Sequence, residues 1–335
     1  MNTLSRRLGR IGIWAANFDH LSAREVREAA AAVEDLGFGT LWFPETTGRE
    51  AMAQAAILLA ATRHITVASG MTDIYARDPV TAAAAQRTLE EAFPGRFLLG
   101  LWESHPSLAR DIRGHRFGPA PVAMRAYLDA LDSAPFGPPG TAGSPHRVLA
   151  ALDPDMLALA AERTEGAMVL GMPVAYTRAA RTALGDDGLL AVTQLCVLGD
   201  DDGHDHDHAD TANTETTADT ADTADTATTA DTADLARTTA EAALPNRRGL
   251  LRGLGYENPD ALDGRLVDAL VAHGRAEDIA RRVQEHFDAG ADHVSLHLVT
   301  TAPGSPSVRQ WERITAHLPL RPGGHAPAFA ASTFD

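Results

Sequence analysis

The stretch 65–101, ITVASGMTDIYARDPVTAAAAQRTLEEAFPGRFLLGL, constrains the fold more than any other part of the chain. Residues 65–71 form an apolar run with little polar alternation. That is the pattern of a parallel strand covered on one face and packed into a core on the other. Asp78 can cap the following helix, and Pro79 takes its first position, where a missing N–H costs nothing. Pro94-Gly95 ends that helix, and residues 96–101 make the next buried strand. The result is a βαβ unit with a polar loop at the carboxyl end of a strand, where α/β folds carry their function.

The same alternation runs through the chain. Strands are expected at 11–15, 40–43, 65–71, 96–101, 147–152, 167–170, 189–198 and 294–299, with helical patterns between them. Ser22-Ala-Arg-Glu25 reads as a capping box, and Gly37 stops the helix that follows. Eight strands alternating with helices favour a (β/α)8 TIM barrel over a doubly wound sheet. No GxGxxG follows the first strand, so the dinucleotide fingerprint is absent. Residues 1–199 and 235–320 are expected to form this single barrel domain, with 321–335 as a tail.

Residues 200–234 break the pattern with a Thr-Ala-Asp repeat and are expected to be a disordered acidic insertion. His204, His206 and His208 alternate with Asp there and could bind a metal ion; a solvated tract expanded by repeat slippage is the plainer reading, and no metal site is assigned. The segment also explains the charge. The whole chain carries a net −16, but outside this segment 33 acidic face 29 basic residues. A nearly neutral body makes nucleic acid an unfavoured partner. All 29 basic residues are Arg, which excludes Schiff-base lysine chemistry and a P-loop lysine. One cysteine, Cys196, excludes internal disulfides. No run approaches a membrane span and no signal-peptide pattern opens the chain, so a cytoplasmic protein is expected.

The segments IYARDP and PGRFLLGLWESH resemble the luciferase-like monooxygenase superfamily, and within it the deazaflavin (coenzyme F420)-dependent oxidoreductases. LGFGTLWFPETTGREAMAQAAILLAAT, MRAYLDALD, LALAAERTEGA, LPNRRGLLRGLGY and RLVDALVAHGRAEDIARRVQEHFDAGADHVSLHL extend the resemblance collinearly over nearly the whole chain. It implies a luciferase-like barrel with coenzyme F420 (alternatively FMN) in the mouth, a small-molecule substrate and a homodimer. It also implies a non-prolyl cis peptide at the end of the third strand, at Gly70-Met71 or at Ser69-Gly70.

In such a site the cofactor carries the chemistry and the protein supplies orientation and protons. The resemblance puts His105, in GLWESH, beside the reactive edge of the ring as acid/base partner or anchor. Glu45 closes the second strand at the same mouth, as a ring or substrate contact or as a carboxylate at a helix N-terminus. Trp14 can wall the ring or sit in the core. His297 can face substrate or be a satisfied core histidine. Arg77, Arg110, Arg113 and Arg116, with His115 among them, stand where an anionic phosphate and oligoglutamate tail would need cations, or are plain surface residues. Ser69, Gly70, Met71, Ser104 and Gly171 complete the expected cofactor contacts. Trp102 and Glu103 belong to the same set but depart from the family pattern, as does MVLGMPVAY at 168–176, and bulk and charge there oppose an anionic cofactor. Three functions follow: hydride transfer with coenzyme F420, an FMN-dependent monooxygenase, or a cofactor-free member that is a non-redox enzyme or a non-catalytic subunit.

Overall fold

The computed structural model describes residues 3–138, 145–199, 229–245, 247–300 and 308–320. In chain order the elements are α1 (Thr3–Leu8), β1 (Ile11–Trp14), α2 (Ala23–Asp35), β2 (Thr40–Phe43), α3 (Ala51–Ala60), β3 (Thr66–Ser69), β4 (Thr72–Asp73), α4 (Pro79–Ala92) and β5 (Phe97–Trp102). There follow α5 (Ala120–Asp132), β6 (Arg147–Ala150), α6 (Pro154–Arg163), β7 (Gly166–Leu170), α7 (Val174–Leu184), β8 (Leu189–Leu198), α8 (Thr229–Ala243), α9 (Arg248–Gly253), α10 (Gly264–Leu270), β9 (Val271–Gly274), α11 (Ala276–Asp288), β10 (His293–Leu298) and α12 (Val308–Thr315).

Eight parallel strands close on themselves: β1, β2, β3, β5, β6, β7, β8 and β10, with β10 paired both to β8 and to β1. This is the expected (β/α)8 barrel. The two-residue period of a strand sorts side chains into two cores. Ile11, Ile13, Leu41, Val67, Leu99, Val169, Val192 and Leu296 face outward against the helices. Trp42, Ala68, Leu98, Val148, Met168 and Ala191 fill the lumen, and Leu4 and Leu8 of α1 join them from below. The lumen is therefore packed among the described residues.

Local signals hold where the chemistry is local. Ser22 and Glu25 form both halves of the capping box. Asp78 accepts from the N–H groups of Val80 and Thr81, with Pro79 opening α4. Six elements escape the sequence pattern: α1, the two-residue β4, the helices α8, α9 and α10, and β9, which pairs with the last four residues of β8. The acidic segment is shorter than expected at one end. Its last six residues belong to α8, where Thr232, Ala236, Thr239, Ala240 and Ala243 recur at helical spacing on a buried face. Residues 200–228, including the three histidines, and 321–335 lie outside the described residues. No group of three or more His, Cys, Asp or Glu able to hold a metal occurs among the described residues, and no described helix is long and apolar enough to cross a membrane.

Candidate functional site

The mouth of the barrel is shaped first by an irregularity. Ala68 pairs with Leu98 and Thr72 with Leu101, so four steps on one strand oppose three on the other. The surplus is a bulge at Ser69-Gly70-Met71, a device that ends pairing and re-aims the chain near sites. The Gly70-Met71 peptide is cis, at the first of the two expected positions. The Trp14 indole N–H donates to the Gly70 carbonyl at 2.8 Å, and the Gly70 N–H donates to the Phe43 carbonyl at 2.7 Å. A Cβ on Gly70 would lie 2.8 Å from Trp14 Nε1 and 3.1 Å from Trp42 Cε3. Glycine is thus required because two tryptophans close on it.

Ser69 and Glu45 are held differently from the expectation that they face a cofactor. The fully buried Ser69 hydroxyl donates to the Gly100 carbonyl at 3.0 Å and accepts from the Gly100 N–H at 2.9 Å. It closes the gap the bulge leaves in the ladder. Glu45, also buried, accepts from the N–H groups of Ala51 (3.2 Å) and Asp73 (3.0 Å) and takes both terminal nitrogens of Arg77. Its two oxygens therefore have four donors, all from the protein. Of the two readings of Glu45, the one at the head of a helix matches this geometry.

The arginines expected to bind an anionic tail divide in the same way. Arg77 is neutralised by Glu45 and by Glu50 at 2.5 Å. Arg113 donates to the fully buried Asp73 at 3.1 Å and to the Thr46 carbonyl. Asp73 also accepts from Ser104 at 2.8 Å and from the Tyr75 N–H. That carboxylate, unremarked in the sequence, fixes the whole turn and holds Ser104 in a left-handed conformation at φ 71°. Arg110, His115 and Arg116 are exposed, with His115 against Tyr75. His105 is half-buried, and its Nδ1 is in contact with the exposed Ser107 hydroxyl at 2.8 Å, so its known partner lies on its own loop.

Two residues that depart from the family pattern now acquire a physical meaning. Alternation along β5 turns Trp102 inward at the rim, and its indole N–H is buried without a hydrogen-bond partner. A buried donor left unpaired costs about 1–3 kcal/mol, so such a group invites an acceptor. Next to it, burial pushes the Glu103 carboxyl up from the usual carboxylate range, and the nearby negative charge of Asp153 adds to the shift. The effect is a carboxyl group biased toward carrying a proton.

Arg247 was missed because it lies in a polar run, NRRG, with no periodic pattern. It reaches from the segment between α8 and α9 to the end of β7. There it donates to the Leu170 carbonyl through Nε (3.3 Å) and Nη2 (3.0 Å), and to the Ala243 carbonyl through Nη1. Burial pulls the guanidinium down to about 10, with no carboxylate opposing it. Gly171, at φ 60°, sits beside it; a Cβ there would be 3.6 Å from Arg247 Nη2. A desolvated cation served only by backbone dipoles is a natural counterpart for an anion.

A cavity of about 170 Å³ opens between the ends of β1 and β10, lined by Trp14, Ala15, Asn17, His20, His297 and Trp311 among others. The His297 ring lies 4.5 Å from the Trp14 ring, and its Nδ1 is buried without a partner. It is therefore not the satisfied core histidine that one of the two readings describes.

A family model for luciferase-like monooxygenases matches residues 10–293. A putative coenzyme F420-dependent oxidoreductase of Mycobacterium tuberculosis is 33% identical over 122 residues, 36% of this chain and 34% of that protein. The match thus spans about a third of the relative's length. An F420-dependent secondary alcohol dehydrogenase in complex with an F420-acetone adduct superposes with a TM-score of 0.65 at 14% identity, covering 92% of this chain and 98% of that one. A coenzyme F420-dependent tetrahydromethanopterin reductase from Methanopyrus kandleri gives 0.62 at 14%, covering 92% and 99%. The FMN-bound oxygenating constituent of 3,6-diketocamphane monooxygenase from Pseudomonas putida gives 0.61 at 13%, covering 97% and 99%. At these identities the solved structures speak for the fold. The model match covers most of the chain, and the chain belongs to the luciferase-like monooxygenase family.

Proposed function

We propose that the protein is a coenzyme F420-dependent oxidoreductase that moves a hydride between the deazaflavin and a small organic substrate. The observation that carries this reading is that the carboxyl end of β5 is followed by a carboxyl group raised by burial, Glu103, while the carboxyl end of β7 is met by a buried cation with no carboxylate partner, Arg247. The residues present fit the group. Arg247 and the Gly171 backbone would hold its phosphate. The Trp102 N–H offers a donor to a ring oxygen, and Gly70-Met71 with Trp14 offers an apolar wall.

When bound, the cofactor supplies a hydride to, or removes one from, a carbon of the substrate. The chain's own part is proton management. Reduction of a carbonyl forms one C–H and one O–H bond while the carbon–oxygen π bond breaks, so a proton must arrive at the oxygen. Glu103 is the group able to give it, and in the reverse direction its carboxylate takes it back. His105, held by Ser107, is an outer-loop anchor in this reading. The partial match to an F420-dependent relative supports the choice of cofactor. The homodimer and the cytoplasmic setting expected from the sequence remain part of the proposal.

Titration of the purified protein with coenzyme F420 and, separately, with FMN tests the reading through quenching of cofactor fluorescence. Saturable binding of F420 is expected, with Arg247→Met weakening it about tenfold or more, the value of a charge-assisted contact. Glu103→Gln is expected to leave that binding near wild type and to slow ketone reduction about 10²–10⁴-fold. Because the acid form is the active one, the wild-type reduction rate should fall as pH rises through the raised Glu103 pKa. Preference for FMN would move the assignment to the monooxygenase reading, and binding of neither to the cofactor-free one.

A further inference from the structure

The cavity beside β1 and β10 is chemically unlike the Arg247 side of the mouth. Two indoles, Trp14 and Trp311, supply flat apolar walls, and Ala15, Ala16, Leu298 and Val299 extend them. Its polar lining comes from Asn17, His20, His297 and Thr300, and none of its described lining residues is Asp, Glu or Arg. His297 is the anomaly. Neither ring nitrogen bonds a described residue, and Nδ1 is shielded from solvent. A proton on Nδ1 would be a buried donor with no acceptor, whereas a proton on Nε2 puts the donor where the cavity can reach it. Burial keeps the ring neutral, with its pKa down to about 4.

We propose that this cavity is the substrate subsite, and that His297 reads the oxygen of an uncharged carbonyl or hydroxyl compound while Trp14 and Trp311 hold its apolar body. The inference rests on the oxidoreductase reading only in taking this mouth as the working end. A neutral donor between two indoles favours an uncharged acceptor, because a carboxylate would be desolvated there with no arginine in the described lining to face it. An aliphatic ketone or alcohol loses little on entering and recovers one hydrogen bond. His297 is thereby a specificity-determining residue, distinct from Glu103, which manages the proton.

The test uses the whole chain and four probes of similar size: cyclohexanone, cyclohexanol, cyclohexane and cyclohexanecarboxylate. Binding is read from tryptophan fluorescence and from the imidazole NMR signals, with the His297 signal assigned by its loss in His297→Phe. Ketone and alcohol are expected to shift that signal and to bind His297→Phe roughly five- to tenfold more weakly than wild type, the worth of one neutral hydrogen bond. His297→Gln, which keeps a donor at similar reach, should recover most of the loss and guards against a misfolded Phe variant. Cyclohexane should bind wild type and His297→Phe alike, and the carboxylate should bind neither. Equal ketone binding to wild type and His297→Phe, tighter binding of the carboxylate, or no binding of any probe to wild type overturns the proposal. None of these outcomes depends on coenzyme F420, whose affinity for the same variants is measured separately and should be unchanged.

Discussion

Ser69 shows how a polar side chain at the edge of a site can be occupied by the fold itself. A small polar residue at the end of the third strand suggests a contact to a cofactor, but its hydroxyl is spent on both polar groups of one peptide, that of Gly100. Ser69→Ala should therefore act on stability, by about 1–3 kcal/mol for the stranded donor and acceptor, measured as a fall in the urea midpoint. Glu45 and Arg77 make the same point as a pair. Weighed alone, each has a ligand-binding reading beside a plainer one, and they are each other's partners across 32 positions in the chain. Charge complementarity between distant residues is invisible when each is weighed alone. Arg247 and Asp73 were missed for the converse reason: what sets them apart is desolvation, which only the fold creates.

At the scale of elements, the readable features are those written within one turn or one strand. The capping box at Ser22, the Asp78-Pro79 start of α4 and the apolar runs of the barrel strands all rest on neighbours in sequence. β4 and β9 were not readable, because two- and four-residue strands carry too short a pattern and owe their pairing to β5 and β8. The start of α8 inside the acidic repeat has the same origin. Thr232 and Ala236 gain a buried side only once Leu198 and its neighbours stand opposite, and a Cβ on Gly199 would lie 3.2 Å from Thr232 Oγ1. The two ends of the intervening segment are therefore close together. Replacing residues 203–226 with a short Gly-Ser link should leave the melting temperature within a few degrees, since loop length enters closure entropy only logarithmically. A loss of cooperative melting would show that the repeat contributes to the barrel.

At the scale of the molecule, three histidines tie stability to pH, two fully buried and the third, His297, half-buried at the cavity. His286 accepts from Thr177 and donates to Gln194, and His293 accepts from the Trp42 indole and donates to the Gly9 carbonyl. With His297 they are held neutral by burial, at about 3, about 4 and about 4. Each folded-state value lies below the unfolded one of 6.5, so the unfolded chain binds more protons as pH falls. Their contribution is whole above about 6.5 and declines toward pH 4, by up to about 1.4 kcal/mol per pH unit for each histidine. Urea midpoints measured between pH 7 and pH 5 should fall accordingly, and a flat profile would mean that these rings titrate in the native state. The barrel itself was legible in the sequence, because eight apolar strands with capped helices between them leave few other ways to bury so much surface. The family was legible from collinear motifs. What only the tertiary structure decided is which polar groups are spent and which are left over. Hydrogen bonding and desolvation join residues far apart in the chain, so closure of the barrel pairs Glu45 with Arg77, leaves the Trp102 indole N–H and His297 Nδ1 without partners, and takes Glu103 and Arg247 out of water.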